Sequence, residues 1–160
     1  MSEILGTLFK YLLSLLGVAA VVLILYQVFG SNKTQTAIAD LTQLQAATQA
    51  LYNGQNTFTS LTNTVAVSGK LAPSDMVTGA STLGNPWGGS VTVAVNAIPS
   101  QFNVTEGSVP ADACAKMVAA LPTVIGLSIN GTAQTLPLDA GAAVSACNTA
   151  SNTLIFTFSH

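Results

Sequence analysis

Hydrophobic and polar positions divide the chain into three stretches. Residues 11–32 (YLLSLLGVAAVVLILYQVFGSN) contain no charge. As a helix these 22 positions would extend about 33 Å, enough to cross the hydrocarbon of a bilayer. Residues 33–52 lack Gly and Pro and carry Ile38, Leu41, Leu44 and Leu51 at helical spacing. An unbroken helical pattern therefore joins an apolar segment to an amphipathic one. Beyond it the pattern changes to short runs separated by turn residues.

Asn53-Gly54 supplies a helix stop. Leu71-Ala72-Pro73-Ser74-Asp75-Met76 reads as a short helical turn, and Asn85-Pro86-Trp87-Gly88-Gly89 as a turn cluster. In residues 90–97, Val91, Val93 and Val95 alternate with small or polar residues, which predicts a half-buried strand with 101–105 as its partner. Residues 108–112 predict the opening of a helix reaching about Leu121, with Pro110 in the first turn and Asp112 near the positive dipole end. Segments 126–129 and 132–136 flank Asn130-Gly131, a strong hairpin signal. Residues 153–159 close the chain as a strand with Leu154, Phe156 and Phe158 on one face.

These elements predict an α+β fold. A long N-terminal helical spine, half hydrophobic and half amphipathic, packs on an antiparallel sheet head through Ile38, Leu41, Leu44 and Leu51. The expected division is a hydrophobic segment at 1–30 and a head at 31–160, the latter made of the second half of the spine (31–52) and an α/β portion (53–160). The apolar run is too long for a signal-peptide core, and no small-residue cleavage region follows it. Gly17 is the only mid-segment helix weakener, and Gly30-Ser31-Asn32 is a second soft point. The aromatics Phe9, Tyr11, Tyr26 and Phe29 near the ends of the span suit interfacial belts and helix packing equally.

Composition sharpens this picture. Mean hydropathy is +0.55, with the excess mainly in the first 30 residues. Charged residues make up 6% of the chain, against about a quarter in ordinary soluble domains. The four basic residues are Lys10, Lys33, Lys70 and Lys116; so scattered a set makes no phosphate-tracking patch, and a nucleic-acid partner is not expected. A surface this close to neutral associates readily, which suits a polymer.

Catalytic signals are missing. The only His is the last residue, His160, and the acids stand isolated, without the spacings that acid–base or metal chemistry uses. No phosphate loop or dinucleotide fingerprint occurs. No cofactor, no metal and no enzymatic activity are expected. Cys114 and Cys147 are the only cysteines. If the first segment spans or anchors, the head lies outside the cytoplasm and the pair oxidises; two buried free thiols are the alternative. Trp87 reads as a head-packing or subunit-contact residue rather than a ligand site.

Several short motifs, in order along the chain, carry a resemblance. Ser31-Asn32-Lys33-Thr34-Gln35-Thr36-Ala37-Ile38, Leu51-Tyr52-Asn53-Gly54-Gln55, Asn85-Pro86-Trp87-Gly88-Gly89 and Asp112-Ala113-Cys114 resemble those of the type IVb pilins, the bundlin-like subunits among them. The resemblance implies a long first helix, an antiparallel sheet head, and a disulfide between Cys114 and Cys147 tying down the C-terminal region. It implies a prepilin peptidase and the pilus assembly machinery of the inner membrane as partners, a membrane-held stage, and then an extracellular homopolymer of identical subunits. The expected role is the major subunit of a type IVb pilus. A minor pilin or pseudopilin, and a single-span anchored binding domain, are the other readings.

The chain departs from the family at its start. The usual acid at the fifth mature residue is replaced by Leu5, and the nearest acid is Glu3. Either Met1 is the mature first residue or cleavage follows Gly6; counting back from Ser31 favours the first. Glu3 and Lys10 lie seven residues apart, on one helix face but about 10.5 Å apart along the axis. In a filament core each would need an opposite charge. Glu3 is therefore expected to meet Lys10 or the Met1 amine of a neighbouring subunit; the alternative leaves both at a membrane surface with Lys10 snorkelling. Gly17 is the expected place for local loss of helix if core crowding demands it.

Overall fold

The computed structural model describes every residue except Pro122, and excludes the side chains of Tyr26, Gln27 and Ser31. The reading of Tyr26 as a belt or packing residue therefore lies outside the described residues, as does the side chain of Ser31 in the first motif. The chain forms two compact units, Met1–Lys33 and Thr34–His160. Helix α1 (Ser2–Leu51) makes up the first and supplies the opening element of the second.

The head is built on a seven-stranded antiparallel sheet of β1 (Val77–Gly79), β2 (Thr82–Gly84), β3 (Ser90–Val95), β4 (Gln101–Val109), β5 (Gly126–Ile129), β6 (Thr132–Gln134) and β7 (Asn152–Ser159). Its spatial order is β1-β2-β3-β4-β7-β5-β6, so the last strand of the chain sits inside the sheet. Helices α2 (Asn63–Ser68), α3 (Ala111–Ala120) and α4 (Ala140–Ala146) complete the head.

Period-2 alternation explains which face is buried. Val93 pairs with Val104, Val104 with Phe156, and Phe156 with Leu127, making one apolar row across four strands. Phe102 opposite Phe158 makes the next. All six are buried. The cover comes from α1, where Ala37, Leu41 and Leu44 are buried in the same core and Thr48 is buried beside them; Tyr52, just past the end of the helix, continues the row at the same three- and four-residue spacing. Phe58 adds tilted aromatic contacts, its ring 4.8 Å from Phe102 and 5.1 Å from Tyr52.

Several elements differ from their sequence-based expectation. Residues 108–109 continue β4 instead of opening a helix; Ser108 takes φ 55° at a bulge, and Pro110 becomes the N-cap of α3. The stretch 71–76 is a turn closed by Met76 N–H donating to Pro73 O at 3.1 Å, not a helical turn. The expected strands at 90–97 and 132–136 end earlier, at Val95 and Gln134. Elements α2, β1, β2 and α4 were not anticipated. Asn63 on α2 donates to Val91 O (3.0 Å) and accepts from Val93 N–H (2.7 Å), covering β3 where the short β2 leaves it unpaired.

Cys114 on α3 and Cys147 at the C-cap of α4 form a disulfide with Cα atoms 5.8 Å apart. It closes a loop with a sequence separation of 33 that contains the β5–β6 hairpin and α4. Cys147→Ser is expected to lower unfolding free energy by about 3–4 kcal/mol on the chain-entropy argument. Urea titration followed by Trp87 fluorescence measures this, and reduction of the unsubstituted protein should reproduce the loss.

Candidate functional site

The first unit has an unusual surface. From Ile4 to Phe29 its large apolar side chains are 47–68% exposed wherever their exposure is described, far beyond the apolar patch that a soluble monomer tolerates. The helix is long and apolar enough to cross a membrane. Two of its hydroxyls bond their own helix backbone: Thr7 Oγ1 donates to Glu3 O, and Ser14 Oγ to Lys10 O (3.0 Å) and Tyr11 O (3.1 Å). Back-bonding of this kind leaves little free polarity for lipid or a packed core to desolvate.

Glu3 and Lys10 are exposed and have no opposite charge among the described residues. Their seven-residue spacing keeps them from one another on the helix. Gly17 lies within continuous helix, and a Cβ there would meet nothing within 4 Å. No contact within the chain requires glycine at that position. Phe9 and Tyr11, like Phe29, are exposed.

In the head, the predicted packing residues divide. Leu41 and Leu44 are fully buried and Ile38 is partly buried against the core. Leu51 is 49% exposed, contrary to expectation. It is the last residue of α1 and lies roughly 60° from the centre of the buried arc at 100° per residue. Tyr52, one position on, takes the core position, with its hydroxyl 2.9 Å from Ser60 Oγ. Polar bonds fix the helix to the C-terminal half: Gln49 Nε2 donates to Ser159 O (2.6 Å), and Thr123 Oγ1 to Gln45 Oε1 (3.1 Å). The His160 ring stacks on Phe58 with centroids 4.3 Å apart, a packing role with no catalytic partner among the described residues.

A second feature was not foreseen: a polar clamp under the helix. Glu106 on β4 faces inward, opposite Val91 and Leu154, with 1% of its surface exposed. Asn85 Nδ2 donates to Glu106 Oε2 (3.0 Å) and to Gly107 O (2.7 Å). The same side chain's Oδ1 accepts from Trp87 N–H (3.3 Å) and Gly89 N–H (2.8 Å). Asn85 thus closes the Pro86-Trp87-Gly88 turn on itself and staples it to the β4 bulge. Gly89 is required there, because a Cβ would sit 1.9 Å from Gly107 O. Trp87 packs partly buried against the core, the head-packing option of its two sequence readings.

Asp40 on α1 and Asp75, in the turn before β1, are the acids felt across this region. Burial pushes the Glu106 carboxyl up to about 7; the Asn85 hydrogen bond opposes this, and the charge of Asp40 adds a smaller upward push. Burial, then Asp75, pushes Asp40 up to about 6. Both groups therefore keep their protons to higher pH in the fold than in the open chain.

The family model described as PilS N terminal matches residues 31–159. A type IVb pilin from Salmonella typhi, solved by crystallography, is similar to this chain at TM-score 0.64 and 25% identity, covering 79% of this chain and 99% of that one. An NMR structure of the type IVb pilin PilS from Salmonella typhi gives TM-score 0.56 at 25% identity, with 79% and 96% covered. TcpA, a type IV pilin from Vibrio cholerae El Tor, gives TM-score 0.57 over 80% of this chain and 99% of its own; at 15% identity the likeness is one of fold. No curated protein matches the chain.

The buried carboxyls make head stability depend on pH with a defined sign. Their stabilisation is complete below the ordinary values of 3.8 and 4.5 and is lost as pH rises through about 6 and 7. Between about pH 5 and pH 8 the head is expected to lose on the order of 3 kcal/mol of unfolding free energy. Urea titrations across that range measure it. Glu106→Gln should flatten most of the slope while keeping the bond from Asn85, and Asp40→Asn should remove a smaller part.

Proposed function

This chain belongs to the PilS family and is a type IVb pilin, and from that premise we propose that it is the major subunit of a type IVb pilus. The observation that carries the proposal is the apolar surface of residues 4–29, whose large side chains are exposed wherever they are described. Water cannot be its resting environment. A bilayer covers it first, in the inner membrane, and a bundle of identical helices covers it afterward, in an extracellular fibre of this one protein. Residues 1–30 act as membrane span and filament core, and 31–160 as the head that faces solvent and neighbouring heads.

The role is structural and not enzymatic. The prepilin peptidase and the assembly machinery of the inner membrane are the partners that this passage from lipid to fibre requires. Glu3 and Lys10 set the axial register: each is exposed, neither has an opposite charge among the described residues, and a neighbour displaced by about 10.5 Å along the axis would bring Glu3 beside Lys10. The Met1 amine is the second cation available to Glu3. Gly17 is where the packed core would first loosen its helix.

The test is to shear fibres from the producing cells and identify their dominant protein, which is expected to be this chain. A minor share in the fibres supports a minor pilin instead; recovery only as membrane-bound monomer supports an anchored binding module. Glu3→Ala and Lys10→Ala should each cut fibre yield about tenfold or more while leaving the subunit in the membrane, given what an unpaired buried charge costs. Exchanging the two charges in one chain should restore part of the yield; unchanged yield in both single variants would remove the register role.

A further inference from the structure

The chain contains two Asn-Gly pairs, Asn53-Gly54 and Asn130-Gly131. Glycine leaves the backbone nitrogen unobstructed and conformationally free to approach the preceding carboxamide. Any Asn-Gly pair is therefore open in principle to intramolecular attack, and the local structure decides whether it occurs.

At Asn130 every arm of the side chain is engaged. Its Oδ1 accepts from Thr153 N–H at 3.0 Å, and its Nδ2 donates to Asn152 Oδ1 at 2.8 Å and Ala146 O at 3.5 Å. Asn152 is itself buried and fixed by donations to Val109 O (3.1 Å) and Thr149 O (2.7 Å). Turning the Asn130 carboxamide toward the Gly131 nitrogen would break all three of its bonds.

Asn53 stands two positions beyond the last residue of α1 and is exposed. Among the described residues neither its carboxamide nor the Gly54 N–H has a hydrogen-bond partner. Gly54 takes φ +93° in open space. The flanking anchors stay in place: Tyr52 and Phe58 are buried with ring centroids 5.1 Å apart, so the segment between them can react without disturbing the core.

We propose that Asn53 is a self-modification site, converting through a cyclic imide to aspartate and isoaspartate, while Asn130 is protected. The Gly54 backbone nitrogen loses its proton to base and attacks Asn53 Cγ. The new C–N bond forms as the Cγ–Nδ2 bond breaks, and the leaving nitrogen takes up a proton and departs as ammonia. Water then opens the ring at one or the other carbonyl. Either product places a carboxylate just past the C-terminal end of α1, where the helix dipole disfavours negative charge. The isoaspartyl product also adds a methylene to the backbone just past the end of α1.

Purified full-length protein in detergent is incubated at mildly alkaline pH, then digested in acid and analysed by mass spectrometry. Peptides containing residue 53 are expected to gain one mass unit progressively, with isoaspartate detected by its methyltransferase labelling. Peptides containing residue 130 should convert at least about tenfold more slowly, reflecting the three bonds that must first break. The same comparison in urea should bring the two rates together. Equal rates in the folded protein, or faster conversion at Asn130, would overturn the assignment, as would the absence of conversion at Asn53 where the urea sample converts.

Discussion

The head depends on one contact: the second half of α1 lying across the inner face of the sheet. Leu41, Leu44 and Tyr52 share a core with Phe102, Phe156 and Phe158, and neither surface could stay in water alone. Strand β7 makes that face possible. It pairs with β4 on one side and β5 on the other, so the β1–β4 meander and the β5–β6 hairpin become one sheet only when the end of the chain is in place. Gln49 then bonds Ser159 O, joining the helix to that last strand. The disulfide acts on the same element from its other end, since Cys147 lies five residues before β7 begins.

Within this apolar arrangement Glu106 is the exception, and its surroundings show how the exception is held. An ionised carboxylate in a row with Val91 and Leu154 would be costly. Raising its pKa keeps the group largely neutral below about 7. The Asn85 bond satisfies one oxygen and ties down the turn that carries Trp87. Stability falling with rising pH is the opposite of the usual pattern for paired carboxylates, and follows because these acids face one another and apolar groups instead of cations.

Much of this was legible in the residues, and the misses have physical causes. The 3.6 period over 33–52 located the covering helix, and the alternation of 153–159 located its partner face. Elements α2 and α4, six and seven residues long, are too short for periodicity to register; their signals are the caps Thr62 and Asp139. Strands β1 and β2 have three residues each and are held by neighbours, not by their own pattern. Leu51 was misplaced because helical spacing alone does not say where the sheet beneath ends. Glu106 was readable in principle: it has the same parity as Phe102 and Val104, so period 2 places it inward. Its partner Asn85 lies 21 positions away, a contact that no local pattern reveals.

The two units handle charge differently, and the contrast bears on assembly. In the head, Asp40 and Glu106 are tolerated because burial raises their pKa values and Asn85 offers a bond. Thr7 and Ser14 in the spine likewise bond their own backbone. Among the described residues Glu3 and Lys10 have neither remedy. At a bilayer surface they can reach water and need none. In the assembly proposed above, lipid is exchanged for neighbouring helices, each charge finds its opposite on another subunit, and the spacing that separates the two in one helix becomes the offset that joins two helices. On the reading proposed above, the same pair that is indifferent in the membrane selects a single axial displacement in the fibre.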